Sequence, residues 1–442
     1  MTARQRLHWF ALHGVVRGAA ALGARRGDPQ ARLIADPAVR ADPGSFADEL
    51  HAAGSLVRGR AAWLTADHET AHQLLRSDDF TVTAIGKNLP SPLRRIEQRT
   101  RAKNRMHPLM PPSMLTVEPP DHTRYRKTVS SVFTPRAVAA LRQRVQQAAT
   151  ALLDTLGDGD GVVDIVERYC SQLPITVIGD ILGVPEGDRS RILQFGELAA
   201  PSLDVGLSWS QYLAVESGLE GFTAWLTHHI RQLRESPGDD LLSQLIEAGD
   251  DGIRLDDAEL LATAGLVLAA GFETTVNLLG NGIDLLLKNP AQLALLLEEP
   301  QRWPNAVEEI LRLESPVQLS ARFALRDIEV AGTTVQAGEA VVLYLAGANR
   351  DPKVFEDPHR FDVTRENAGR HLSFSGGRHF CLGAALARAE GEVGLRTFFE
   401  RNPTATASGA GNRRGTRVLR GWATLPLSLR GPQRGVSSVA AL

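Results

Sequence analysis

Residues 374–383 read FSGGRHFCLG. Here Cys381, one of only two cysteines in 442 residues, lies between paired glycines and LGAALARAEGEVGLRTFFERN (382–402), a run with helical spacing. A cysteine just before or at a helix N-terminus meets unpaired backbone N–H groups and the positive end of the helix dipole, which favour thiolate over thiol. Arg378 and His379 add donors, and Gly376 and Gly377 let the backbone turn tightly against something flat or bulky. Three readings stand: a packed structural cysteine, a nucleophile, or a metal ligand. A nucleophile needs a base and an oxyanion hole, and no local signature of a thiol hydrolase is present. Zinc needs about four ligands, usually with more than one Cys or His in close spacing. Haem iron accepts a single protein thiolate, because the porphyrin supplies the equatorial ligands.

Length alone, at about 150 residues per domain, predicts two or three domains. The formal net charge of -2 gives no bulk attraction to nucleic acid or acidic lipid. Two cysteines, Cys170 and Cys381, exclude a disulfide framework and fit a reducing, cytoplasmic compartment. Cys170 reads as a core residue. The N-terminal HWFALHGVVRGAAALGARRGD (8–28) is interrupted by Arg17 and too short to span a bilayer. Residues 1–30 are read as an amphipathic segment capping the body, in preference to peripheral membrane contact; Trp9, Phe10 and the arginines are what such a contact would use.

Apolar periodicity predicts helices over 135–156 and 257–289, the second capped by Asp256 or Asp257. DIEVAGTTVQAGEAVVLYL (327–345) alternates and turns at glycines, as a hairpin would. Segment 83–117 is rich in proline and charge and reads as a long loop, and 431–442 as a flexible tail.

A haem site requires cations for two propionates. PPDHTRYRK (119–127) offers His122 and Arg126, one helical turn apart; SARFALRD (320–327) offers Arg322; His379 precedes the cysteine. Each alone reads as a solvated charge; together with Cys381 they form a cage. Oxygen chemistry also requires proton delivery. In LAAGFETTVN (268–277), the Thr274 hydroxyl can donate to the carbonyl of residue 270 and open a groove in the helix, with Glu273 beside it. In VEEILRLESPV (307–317), Glu309 and Arg312 can pair across one turn.

With these motifs in this order, the chain resembles a soluble bacterial, actinobacterial-type cytochrome P450, a haem-thiolate monooxygenase, from about residue 35 to about 430. The resemblance implies a mainly α fold with small β-sheets: a single large triangular domain over 31–430, with haem between the long helix and the helix after the cysteine. It implies haem b (iron protoporphyrin IX), with Cys381 as iron ligand and His122, Arg126, Ala270, Arg322, Phe374 and His379 as cofactor contacts. Thr274 and Glu273 become the alcohol and acid that serve oxygen chemistry, and Arg360 in FEDPHRFD completes a buried triad with Glu309 and Arg312. The implied substrates are O2 and a hydrophobic small molecule, lined by Leu266, Ala270, Val317–Leu319, parts of 83–117 and the region near 195–215. Electrons would come from a ferredoxin and its reductase, docked near Arg124, Lys127 or Arg388. Ser375 departs from the family's usual glycine. A haem sensor without turnover and a thiol-dependent hydrolase are the competing readings; the Glu273–Thr274 pair argues against the sensor.

Overall fold

The helix expected over 257–289 runs from Asp257 to Lys288 in the computed structural model of the chain, which describes residues 2–429 except 83–85, 87–88, 103–104, 157–160 and 248–254. Asp256 is its N-cap. The Asp256 carboxylate accepts from the Glu259 N–H at 2.8 Å, and the Glu259 carboxylate accepts from the Asp256 N–H at 2.9 Å. This reciprocal pair satisfies two donors that the helix itself cannot. The helix is long and apolar enough to cross a membrane, yet most of it is buried inside the protein. An apolar surface on nearly all sides demands neighbours on nearly all sides.

The helix expected after Cys381 runs from Ala384 to Arg401 and packs against both the long helix and Pro135–Leu156. Close approach is possible because glycines face the contact. A Cβ on Gly391 would lie 2.9 Å from Leu278, and one on Gly394 2.9 Å from Leu279. Trp303, Phe398 and Phe399 are fully buried around this crossing, each contributing on the order of 3 kcal/mol by burial. Cys170 is also fully buried there, as the sequence predicts.

Strands are short. The main sheet has the order Val57–Arg58, Trp63–Thr65, Ala340–Tyr344, Leu319–Ala324, Phe80–Thr81. The alternating stretch 327–345 is not one hairpin. Ile328–Val330 pairs with Thr333–Val335 across Ala331 and Gly332, both with positive φ, and Ala340–Tyr344 leaves for the main sheet. Burial of Val341 and Leu343 on one face decides that departure. The sheet registers Arg322 against Val341.

Segment 83–117 is not wholly a loop: Ser91–Thr100 is helical. Pro92 falls in the first turn, where a missing N–H costs nothing. Glu97 is buried and paired with Arg101 one turn on. Proline and charge hid this periodicity. The tail expected at 431–442 lies outside the described residues.

At the N-terminus, Ala3–Trp9, a π-helical turn Phe10–Gly14 and Val15–Ala24 form one rod. Its inner face buries His8, Ala11, Leu12 and His13. The Trp9 indole donates to the Leu207 carbonyl at 3.0 Å, and Arg4 donates to the carbonyls of Thr100 and Arg101 at 3.1 and 2.6 Å.

Glu309 and Arg312 are fully buried, with two hydrogen bonds of 2.7 and 2.8 Å between them. The third member is Arg365, whose Nε donates to Glu309 at 3.2 Å, and not Arg360. Arg360 turns its carbonyl inward, where it accepts from Arg312 and Arg365. Its side chain is thereby sent outward, 61% exposed, to pair with Asp362.

Two tests follow from this packing. Arg312→Ala strands a buried carboxylate and should cost about 3–5 kcal/mol in denaturant unfolding. Arg365→Ala should cost about 1–3 kcal/mol, and Arg360→Ala should stay within about 0.5 kcal/mol; a larger loss at Arg360 than at Arg365 would restore the expected triad. The second concerns pH. Burial first, then the positive charges of His8 and Arg417, lowers the His13 pKa from 6.5 to about 4. A released His13 takes up its proton near pH 6.5, the docked one only near 4. Docking is therefore strongest above pH 6.5 and weakens as pH falls from 6.5 towards 4, by up to about 1.4 kcal/mol per unit. Amide hydrogen exchange over residues 3–24, corrected for intrinsic rates, should show protection falling from pH 7 to pH 5, and His13→Gln should reduce that change, with buried His8, whose pKa burial also lowers, supplying the remainder.

Candidate active site

The cysteine loop is built around two left-handed residues. Ser375 has φ +62 and Gly377 φ +63. At Gly377 a Cβ would lie 2.5 Å from the Leu75 carbonyl oxygen, so only glycine fits. At Ser375 a Cβ is tolerated at a cost of about 1–2 kcal/mol, a cost that glycine would not carry. Ser375 N–H donates to Leu372 O at 2.8 Å, and Cys381 N–H closes the loop onto Phe374 O at 2.9 Å. Phe374 is buried under the Arg388 guanidinium, 4.6 Å from its ring centroid. Arg388 is held in turn by two hydrogen bonds to Glu308, which also meets His371 at 3.1 Å. Burial raises the Glu308 pKa, but these donors outweigh it and leave it at about 2.

Cys381 is half-buried. Desolvation pushes its thiol up; the Gly383 N–H and the charges of Arg126 and Arg388 pull the other way without winning. The thiolate expected from helix-terminus reasoning is therefore not the resting form of the free side chain. A directly bound cation would reverse that balance, since a coordinating thiol gives up its proton.

Around the loop stand the expected nitrogen donors, two arginines and two histidines whose pKa values are lowered. His122 is buried, and its ring centroid lies 4.4 Å from that of His379. Arg126 lies close enough to Cys381 for their charges to couple. Arg322 is buried; Nη1 donates to Ser320 Oγ and the Ala321 carbonyl, whereas Nη2 has no partner. Burial lowers its pKa to about 10. His379 Nε2 makes no hydrogen bond and lies 3.6 Å from Glu118. Burial first, then His122, lowers its pKa to about 4. Glu118 was not anticipated, because Pro119 and Pro120 break any periodic link to His122. Its Oε1 accepts from Thr81 and Val82, and its Oε2 from Arg378 at 2.9 Å.

On the long helix, the Thr274 hydroxyl donates to the Ala270 carbonyl at 2.8 Å, as the spacing predicts. Thr275 repeats the bond to Gly271 at 3.2 Å. Leu266 and Thr274 are half-buried and Ala270 is exposed, at i, i+8 and i+4, so this is the face that other side chains leave uncovered. Glu273 points elsewhere. It is buried and ion-paired with Arg414, whose Nη1 lies 3.0 Å from an Oε1 that accepts no hydrogen bond, and burial raises its pKa against the opposing charge of Arg414. No local signal joins Arg414 to Glu273; it arrives from the C-terminal hairpin of Asn412–Arg413 and Trp422–Thr424. Val317 and Leu319 are half-buried, with Gln318 turned inward between them.

Of the three expected docking cations, Arg124 is held by Glu259 and Asp121, and Arg388 by Glu308; Lys127 is exposed. Among the described residues, no group of three or more His, Cys, Asp or Glu could hold a metal ion. The donor set instead suits a metal that brings its own ring and carboxylates: one sulfur, with Arg322 and His379 each keeping a buried nitrogen that makes no hydrogen bond.

The family model for cytochrome P450 matches residues 215–402. A putative cytochrome P450 140 of Mycobacterium tuberculosis is 66% identical over 438 residues, spanning 98% of this chain and 100% of that protein. The 6-deoxyerythronolide B hydroxylase of Saccharopolyspora erythraea is 44% identical over 323 residues, 72% of this chain and 78% of that one. Among solved structures, Mycobacterium smegmatis CYP164A2 superposes with a TM-score of 0.81 at 33% identity, covering 90% of this chain and 99% of that one. P450BioI bound to an acyl carrier protein superposes at 0.80 with 31% identity, covering 88% and 99%. The chain therefore belongs to the cytochrome P450 family: it is a haem-dependent monooxygenase that acts on organic substrates with electrons from redox partners.

Proposed function

We propose that the haem is haem b, that Cys381 is the thiolate ligand of its iron, and that His122, Arg126, Arg322 and His379 receive its propionates. One observation carries this reading: Arg322 and His379 each keep a buried nitrogen without a hydrogen bond, and the Cys381 sulfur of the same loop region stays protonated unless a cation meets it. Phe374 and Ala270 would flank the ring. When bound there, the haem supplies the iron at which O2 is activated. The residues of the chain do the rest. Cys381 gives up its thiol proton on ligation. Thr274 carries a hydroxyl that can swing from the Ala270 carbonyl towards the uncovered face and donate there. Glu273 is a carboxyl that burial inclines to keep a proton, with Arg414 as its ion-pair partner. The pair can hand protons from the buried side of the helix to the open side.

Leu266 and Ala270 support a hydrophobic substrate. The relatives named for 6-deoxyerythronolide B and vitamin D(3) hydroxylation favour the same class. A ferredoxin and its reductase supply the electrons in a cytoplasmic setting. Residues 31–430 form the catalytic unit and 1–30 an added helical segment.

The ferrous carbonyl spectrum tests the ligand. The wild-type chain should show the strongly red-shifted Soret band of thiolate-ligated haem, and Cys381→His should bind haem without it. A red-shifted band that survives in Cys381→His would refute the assignment. For the proton path, Thr274→Ala should lower product formed per reductant consumed by at least about tenfold, with Thr274→Ser restoring much of it. Unchanged coupling would remove Thr274 from the path.

A further inference from the structure

The N-terminal rod spends only one of its faces on the body. Nine large hydrophobic side chains are exposed among the described residues, and four of them, Leu7, Phe10, Val15 and Leu22, belong to this one segment. Leu7, Gly14, Gly18 and Leu22 follow one ridge, and Leu7, Phe10 and Leu22 are 50, 48 and 48% exposed. Val205, 39% exposed, extends the patch beside Gly206, whose carbonyl accepts from Arg17. Residues 2–26 contain five arginines and no aspartate or glutamate, in a chain whose net charge is -2. The helix Ser91–Thr100, packed against the start of the rod, adds exposed Arg94, Arg95 and Arg99. Among the described residues no carboxylate pairs with Arg4, Arg6, Arg17, Arg94, Arg95 or Arg99.

We propose that this face is a docking surface for anionic lipid, with Leu7, Phe10 and Leu22 entering the boundary between headgroups and acyl chains. Capping the body and touching a membrane are not alternatives here, because they use opposite sides of the same rod. An apolar ridge with arginines along its flanks suits a bilayer interface, where apolar side chains insert and long cationic ones reach back to phosphate. A second copy is disfavoured by the patch itself. Isologous pairing would set unpaired arginines against unpaired arginines. An acidic protein would satisfy the charge but not a single-file ridge of exposed leucines and Phe10. Because the rod is tied to residues 100–101 and 207, a docked lipid surface would lie beside segments expected to line the substrate pocket; that consequence rests on the proposed function, whereas the lipid contact does not.

Vesicle co-sedimentation of the full-length holoprotein tests the proposal. It should partition onto phosphatidylglycerol-containing vesicles and not onto pure phosphatidylcholine, with weaker binding at high salt. The Leu7→Ser/Phe10→Ser variant and the Arg94→Gln/Arg95→Gln/Arg99→Gln variant should each bind roughly tenfold or more weakly. Both should keep the wild-type melting temperature and carbonyl spectrum, because the substituted side chains are exposed. Binding to neither vesicle, or equal binding by wild type and both variants, would overturn the proposal. So would light scattering that shows a dimer lost on substitution of Leu7 and Phe10.

Discussion

Desolvation is the constraint on which the site depends. Taking a charged group out of water is costly unless a partner of opposite sign meets it. Around the cysteine loop, that cost is met for some groups and left open for others. Glu308 is matched by Arg388 and His371, and Glu118 by Arg378. Arg322 and His379 keep a buried nitrogen each without a hydrogen bond, and the Cys381 thiol is held protonated. A cluster so arranged is stabilised by a ligand that carries both a cation for sulfur and carboxylates for the nitrogens. A haem has that combination, and a purely protein-ligated metal does not.

A second buried network holds the loop in position. Arg312 donates to the Asn349 carbonyl, and Asn349 hydrogen-bonds the side chains of Ser315 and Ser373 and the Leu372 N–H. Leu372 then accepts from Ser375 at the left-handed turn. An unbroken chain of polar contacts thus runs from the Glu309–Arg312 pair to the residues that aim Cys381. Fully satisfied networks of this kind are rigid, because breaking any member strands its neighbours in low dielectric. The same logic separates the two faces of the long helix. Glu273 is anchored on the packed side by Arg414, while Thr274 borders the open side one residue on.

Local patterns were therefore legible in the sequence. Asp256 caps a helix whose apolar spacing is visible over 32 residues, and the Thr274 hydroxyl finds a carbonyl at the distance that helical geometry dictates. The glycines and lone cysteine of 374–383 identify a turn into a helix and restrict the metals that could be held. The resemblance carried these motifs to a fold and an activity that the relatives support. Each of these depends on neighbours within about two helical turns, where spacing alone determines contact.

What the tertiary structure decided depends on chain segments far apart in sequence. Arg365 rather than Arg360 joins Glu309, because the backbone turns one carbonyl inward and its side chain out. Arg414 reaches Glu273 from the C-terminal hairpin, and Glu118 enters the cation cluster past two prolines. The protonation of Cys381 follows from desolvation of its half-buried thiol by segments distant in sequence, which no local motif encodes; the helix terminus argued for a thiolate, and that desolvation outweighed it. Periodicity determines which face of an element turns inward, but only the assembled molecule sets the dielectric and the partners that each charge meets there.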